Sequence, residues 1–172
     1  MKTKLKNQKG FTIIEVLIVL AIAGLILLIV FLAVPALQRN QRNTARKGDA
    51  GRVGGAATEF VSNNNGTLPA TGAATIAVGP PVSGTNDAGK IIVSAGKLSQ
   101  YDFIDTGGTP GNFSVVAAAT AATGSVDKMQ LAIKAKCTTP VDGTTIAGTQ
   151  RQMAIQYTVE SAGAVVNLCT DI

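Results

Sequence analysis

Apolar residues are unevenly distributed along the chain, and the longest run lies near its start. Residues 16–37 are 22 positions without a charge. A helix of that length extends roughly 33 Å, at about 1.5 Å per residue, and so reaches across a hydrocarbon core of ~30 Å. The pattern predicts a membrane-length helix over residues 11–37, with Glu15 as a single acid near its head.

The helical pattern continues beyond this run, but with only one apolar face. Apolar residues recur with helical spacing at Val53, Ala56, Ala57, Phe60 and Val61. The run Ser62-Asn63-Asn64-Asn65-Gly66 is a stop signal, with Gly66 as the expected cap. We therefore expect one helix from Phe11 to about Asn63, in which residues 38–65 form an amphipathic continuation.

Two residues inside this predicted helix oppose helix formation. Pro35 has no backbone N–H and its ring crowds the preceding turn, so we expect it to kink or locally melt the helix. Gly24 is a second weak point, because glycine lowers intrinsic helicity by about 1 kcal/mol.

The rest of the chain, residues 66–172, has the pattern of a globular head. Residues 66–98 are expected to be a helix–sheet loop with a short strand near 75–78, and residues 90–98 favour either a strand or a short helix. Strands are predicted over residues 113–119, 129–137, 153–160 and 164–169. Alternating residues in two of them predict half-buried strands whose apolar face is covered by the helix near Phe60. The expected fold class is α+β, a long N-terminal helix packed on a C-terminal antiparallel β-sheet.

The chain has two cysteines, Cys137 and Cys169, and no histidine. In an extracytoplasmic domain such a pair favours a disulfide, and two buried free thiols are the alternative. Closing the 137–169 loop would stabilise the fold by about 3–4 kcal/mol in the chain-entropy model. Two cysteines without histidine disfavour a metal site.

The residues also disfavour an enzyme. The chain has no histidine and no glycine-rich phosphate loop, and its acids are scattered. Asp102 and Asp105 lie close together, where a turn-forming role is favoured over calcium binding. We expect no catalytic residue, no cofactor and no metal, with a membrane-anchored enzyme or binding module as an alternative class.

The junction Lys9-Gly10-Phe11-Thr12-Ile13-Ile14-Glu15 resembles the class III leader junction of type IV prepilins. The resemblance implies that residues 1–10 are a leader peptide and that prepilin peptidase cuts between Gly10 and Phe11. It also implies that the same enzyme N-methylates the new amine of Phe11. The leader carries four lysines, so its removal leaves 11 basic and 10 acidic residues.

Glu15 is the residue in this segment that most needs an explanation. A charged side chain costs on the order of 2.5–3.5 kcal/mol at the centre of a membrane helix and less near the interface. From charge placement alone, Glu15 either reaches water at the headgroups or requires a partner. The resemblance implies a partner, the Phe11 amine of an adjacent subunit, so that Glu15 sets the assembly register of a filament.

The net charge of +5 is concentrated near the N-terminus. A basic cluster follows the apolar run and consists of Arg39, Arg42, Arg46, Lys47 and Arg52. We favour a solvated or headgroup-facing surface for it, with contacts to acidic groups of neighbouring subunits as the alternative. Specific nucleic-acid binding is not expected, because aromatic residues are missing from the segment and phosphate contacts alone are nonspecific.

The resemblance implies a structural subunit of a type IV pilus. The subunit would be a single-pass cytoplasmic membrane protein, N-terminus inside, until an assembly platform and motor polymerise identical subunits through the N-terminal helix. The product would be an extracellular filament for adhesion, twitching motility or DNA uptake. A pseudopilin of a type II secretion or competence system, or a minor pilin, is the alternative. Cys137 and Cys169 resemble the C-terminal disulfide of pilins, which major pseudopilins usually lack.

Overall fold

The computed structural model describes residues 10–77, 83–96, 98, 113–117 and 128–172. It divides into two compact units, Met1–Gln38 and Arg39–Ile172. Helix α1, Ile13–Asn63, contributes residues to both units. We call residues 13–38 the apolar segment and Arg39–Ile172 the globular unit. The leader residues 1–9 and the predicted turn at Asp102 and Asp105 lie outside the described residues.

The apolar segment has no buried residue in the single chain. Every position from Gly10 to Gln38 is exposed, including its leucines, isoleucines and valines. Helix α1 is long and apolar enough to cross a membrane, by length and composition. The predicted membrane-length helix is therefore confirmed as a helix, and its surface is entirely available to other molecules.

Helix α1 ends within the predicted stop signal, but the cap differs from the expected one. Asn65 is the first residue with left-handed backbone (φ 54°), and Gly66 follows with φ 80°. The Gly66 N–H donates to the Val61 carbonyl at 2.8 Å, which is the long bond of a Schellman-type cap. Asn65 thus takes the position predicted for Gly66, because asparagine tolerates the left-handed region better than other side chains do.

The globular unit contains short strands and a second helix. The elements that follow α1 are β1 (Gly72–Ala73), β2 (Ile76–Ala77), β3 (Ser83–Gly84), α2 (Asp87–Ala95), β4 (Phe113–Ala117), β5 (Met129–Ile133), β6 (Ala135–Cys137), β7 (Thr145–Ala147), β8 (Met153–Ser161) and β9 (Ala164–Asp171). Five of them form a sheet in the order β1-β4-β5-β8-β9, while β2-β3 and β6-β7 are separate pairs. All pairs in the main sheet are antiparallel except β4-β5. The α+β class is confirmed, with one parallel pair that the sequence did not predict.

One face of the main sheet packs on the helices. Two cross-strand rows, Phe113-Met129-Tyr157 and Val115-Leu131-Ile155, point to this face. Val53 and Ala57 of α1 and Ile91 and Ile92 of α2 are fully buried in the same core. The spacing prediction for Val53, Ala56 and Ala57 is confirmed, and Phe60 and Val61 pack against the core as half-buried residues.

Residues 66–98 contain more regular structure than the predicted loop. Helix α2 begins at Asp87, where Asn86 caps it by accepting a hydrogen bond from the Gly89 N–H at 2.8 Å. Asn86 also binds the Thr75 N–H at 3.0 Å and the Ala73 carbonyl at 2.6 Å. The helical alternative for residues 90–98 was correct, but the predicted start lies after the observed one. Glycine and proline dominate the preceding residues, so these gave no helical signal. The strand predicted near 75–78 is confirmed as β2 over its described residues.

The single strand predicted over residues 129–137 is wrong. It is two strands, β5 and β6, which belong to different sheets. Lys134 lies between them with left-handed backbone (φ 53°), which redirects the chain. Apolar alternation continues across this break, so the pattern gave no sign of it.

The prediction of half-buried strands is also wrong, because both faces of the sheet are covered. Ala154, Gln156 and Thr158 were expected on a solvated face, yet each is at most 1% exposed. The segment that contains β6 and β7 lies on this face, and Gln156 Nε2 donates to the Gly143 carbonyl at 2.6 Å. The Gln156 amide nitrogen can face this second layer because a backbone carbonyl there accepts its hydrogen bond.

Candidate functional site

The helix start places Glu15 in a capping box. Thr12 is the residue before α1, and both its N–H and its hydroxyl donate to Glu15 Oε2, at 2.9 and 2.7 Å. The Glu15 N–H points back to the Thr12 hydroxyl at 3.4 Å. The arrangement follows the S/T-x-x-E pattern, in which the first and fourth residues satisfy each other's unpaired donors.

This contact adds a residue that the sequence analysis missed. The prediction paired Glu15 with the Phe11 amine and did not mention Thr12, whereas in the single chain Thr12 binds its carboxylate. The Thr12-x-x-Glu15 spacing was the available signal. The carboxylate keeps its negative charge after these contacts, because the N–H and the hydroxyl of Thr12 are neutral donors and both bind Oε2.

The predicted cleavage bond lies outside the helix. Gly10 and Phe11 precede α1, and Phe11 is 90% exposed. The capping box fixes the helix start at Ile13, so the Gly10–Phe11 peptide has no helical hydrogen bonds to break. Its cleavage and the methylation of Phe11 stay predictions.

The two predicted break points do not interrupt the helix. Helix α1 is continuous through both Gly24 and Pro35. Proline removes one intrahelical hydrogen bond, and the flanking turns of a 51-residue helix retain the other backbone hydrogen bonds. Kinking or local melting of the helix at Pro35 stays a prediction.

The glycines of α1 in the globular unit lie on two different faces. A side chain added at Gly48, Gly51 or Gly55 would meet nothing within 4 Å. In contrast, a Cβ at Gly54 would lie 3.0 Å from Ile172 Cγ2. Gly54 therefore serves packing inside the chain, while the other three create an exposed face of small residues that the fold itself does not use.

Two members of the basic cluster are used inside the chain. Arg42 Nη2 and Arg46 Nη1 bind the Glu160 carboxylate at 2.6 and 2.8 Å. Asn43 holds the Glu160 backbone, since its side chain accepts from the Glu160 N–H at 2.8 Å and donates to its carbonyl at 2.7 Å. We call these four residues the Glu160 clamp, and it joins α1 to the end of β8.

The clamp corrects the interpretation of the basic cluster. Arg46 is only 5% exposed, so it is not available as a headgroup-facing cation. Hydrogen bonds from Arg42, followed by those from Arg46 and the charges of both residues, lower the pKa of Glu160 from 4.5 to about 2. Lys47 and Arg52 do remain exposed.

The cysteine pair is a disulfide. Cys137 of β6 is bonded to Cys169 of β9, with Cα atoms 5.7 Å apart. Cys169 lies in the same row as Gln156, on the sheet face opposite the helices. The bond therefore ties the 137–147 segment over that face, where the Cys169 N–H also donates to the Pro140 carbonyl.

Among the residues that the structure describes, no cluster of three or more histidine, cysteine, aspartate or glutamate side chains could hold a metal ion. The polar groups with recognisable partners instead cap helices, close turns or join elements. The site of interest is therefore the N-terminal part of α1, with Gly10, Phe11, Thr12 and Glu15 at its head.

The architecture is pilin-like, since a long N-terminal helix packs on an antiparallel-dominated sheet in an α+β arrangement. Residues 5–31 match the family model described as the prokaryotic N-terminal methylation motif. This match supports a type IV pilin-like or pseudopilin subunit and implies processing by a prepilin peptidase. No curated protein and no solved structure matches the chain.

Proposed function

We propose that this chain is a structural subunit of a type IV pilus. Prepilin peptidase cuts after Gly10 and methylates Phe11, and the mature subunit polymerises through its N-terminal helix into a surface filament. One observation carries the proposal: the methylation motif lies at the head of a helical segment that exposes every apolar side chain in the single chain.

An exposed segment of this kind needs an apolar environment. Burial of a leucine, isoleucine or valine side chain from water contributes about 1.5–3 kcal/mol. In a bilayer the lipid supplies this burial before assembly, so helix association there gains little from hydrophobicity. Filament growth must therefore draw on close helix packing and on polar contacts that lipid does not offer.

Glu15 supplies the polar contact in this proposal. Before assembly, Thr12 satisfies its carboxylate within the chain. Cleavage creates a cationic amine on Phe11, which forms a stronger charge-assisted hydrogen bond with a carboxylate than a neutral hydroxyl does. Glu15 then binds the amine of the neighbouring subunit, and this contact sets the register of the helices.

The exposed glycines are consistent with close helix packing. Gly48, Gly51 and Gly55 each weaken the helix by about 1 kcal/mol relative to alanine, and no contact in the single chain requires them. Small residues let two helix backbones approach closely. A neighbouring subunit's helix on this face accounts for their position.

The disulfide favours a pilus subunit over a pseudopilin. Cys137–Cys169 fixes a C-terminal segment to the outer face of the sheet, as the resemblance to pilins implies. The proposed location is the cytoplasmic membrane before assembly and the extracellular pilus afterwards. The proposed partners are identical subunits, the peptidase, and the assembly platform and motor.

Mass spectrometry of filaments sheared from cells tests the proposal. The expected result is an abundant chain that begins at N-methylated Phe11 and retains the disulfide. An intact Met1 on a chain that stays in the membrane fraction contradicts the proposal. Methylated Phe11 on a chain absent from sheared filaments indicates a pseudopilin instead.

A further inference from the structure

We infer that Asn65 is a deamidation site whose reactivity is controlled by the end of helix α1. Asn65 is the one asparagine followed by glycine in the sequence. Because Gly66 has no side chain, its own backbone nitrogen is unhindered. Both residues are exposed, so water and base reach the Asn65 amide.

The reaction requires the Gly66 backbone nitrogen as a nucleophile. It loses its proton to base and attacks Asn65 Cγ, so a Gly66 N–Cγ bond forms while the Cγ–Nδ2 bond breaks and ammonia leaves. Hydrolysis of the resulting succinimide adds water across one of two ring bonds. The product is aspartate or isoaspartate, and no oxidant or other co-reactant is needed.

The helix cap occupies this nucleophile. The Gly66 N–H donates to the Val61 carbonyl at 2.8 Å, and Asn65 is held in the left-handed region at φ 54°. A second bond, from the Thr67 N–H to the Asn64 carbonyl at 3.0 Å, closes the same turn. Attack on Cγ requires release of these bonds, so the reaction proceeds only from states in which the helix end has opened.

The modification also weakens the cap. Aspartate places a negative charge at the C-terminus of a helix, where the dipole disfavours it. Isoaspartate adds a methylene to the main chain and so shifts Gly66 away from the Val61 carbonyl. Each deamidation is irreversible and follows an opening of the helix end. Deamidated chains therefore accumulate over the lifetime of the protein.

The experiment compares three states of the same sequence at mildly alkaline pH. These are the folded full-length chain in detergent, the chain in urea below its unfolding transition, and a free peptide of residues 60–70. Mass spectrometry measures replacement of the Asn65 amide by an acid over time. We expect Asn65 in the folded chain to react more than about tenfold more slowly than in the peptide, and urea to reduce this protection.

A matched pair of variants distinguishes the effect of the cap on the Asn65 reaction rate from the effect of a truncation elsewhere in the fold. Leu68 packs against the core just after the cap, so Leu68→Ala should speed the reaction at Asn65. Val141 is 69% exposed in the disulfide-tied segment, so Val141→Ala should not. Equal rates in the folded chain and the peptide would overturn the inference, as would a folded-chain rate that neither urea nor Leu68→Ala raises.

Discussion

Two parts of one helix have opposite relations to the rest of the chain. The apolar segment, residues 13–38, exposes every side chain, whereas residues 39–63 bury one face that includes Val53, Ala56 and Ala57. The backbone is α-helical in both. The apolar segment has no polar face, so water leaves its apolar surface unburied. The second part buries its apolar face within the globular unit. The comparison separates residues that we propose determine assembly from residues that determine folding.

Glu15→Ala should have the largest effect and should act on assembly alone. In the proposed filament its removal leaves the Phe11 amine of the neighbouring subunit without its charge partner, so we expect more than about a hundredfold loss per subunit added. Filament yield after shearing measures this loss, and unfolding of the globular unit should not change. Glu59→Ala, an exposed carboxylate later in the same helix, is the control. Normal filament yield from Glu15→Ala would contradict the proposed register contact.

Ile155→Ala should act on folding alone. Ile155 is 1% exposed in the core, so its truncation should lower the free energy of unfolding by about 2–5 kcal/mol. Ile26→Ala, a matched truncation at a 55% exposed position of the apolar segment, should leave that free energy unchanged. Denaturant unfolding in detergent gives both values. Equal losses of unfolding free energy in the two variants would contradict the distinction between the two parts of α1.

Replacement of both cysteines by serine should lower the free energy of unfolding by about 2–4 kcal/mol. The bond closes a loop with a sequence separation of 32 and holds the layer that covers Gln156. Hydrogen exchange should therefore increase first in β6, β7 and β9. Uniform loss of protection across α1 and α2 would show that the segment is not a separate layer.

Glu160→Gln should weaken the clamp by about 1.5–3 kcal/mol, because hydrogen bonds to a charged group are lost. The folded-state pKa of Glu160 is lowered from 4.5 to about 2. The stabilisation is therefore fully present above pH 4.5 and is lost as pH falls towards 2. Unfolding measured across this range should show a smaller acid dependence in Glu160→Gln than in the wild type. An unchanged profile would mean that the Glu160 carboxylate contributes no pH-dependent stability.

The smallest effect should come from the helix glycines. Gly51→Ala adds a methyl in open space and should stabilise the globular unit by about 1 kcal/mol. Gly54→Ala places its methyl 3.0 Å from Ile172 Cγ2, so crowding should cancel most of that gain. Thermal unfolding of both variants makes the comparison. If Gly51→Leu also abolishes filaments without loss of stability, that face is needed for assembly.

Helical spacing and strand alternation predicted much of the fold because they are local properties. Val53, Ala56 and Ala57 mark the buried helix face, and the β8–β9 hairpin follows from alternation on both sides of a glycine-containing turn. The motif around Gly10, Phe11 and Glu15 identified the candidate site. The Thr12 contact was also local and could have been found from its capping-box spacing.

The remainder depends on contacts between distant residues. Glu160 lies 118 positions from Arg42, so nothing in either local sequence indicates their pairing. Gln156 and Thr158 look like solvent-facing strand positions until a second layer covers them. Lys134 interrupts a regular alternation through its backbone angle alone, and a lysine gives no warning of a left-handed conformation.

The two cross-connections of the globular unit respond differently to mechanical load. A pull along α1 acts on the sheet through the apolar core and also through Arg42, Asn43 and Arg46, whose ionic and hydrogen-bonded contacts with Glu160 can break and reform without chemical change. The layer beyond the sheet is held by Cys137–Cys169, a covalent bond that does not yield under such a load. The disulfide therefore keeps Cys137 tied to β9 even when the noncovalent contacts between α1 and β8 have opened.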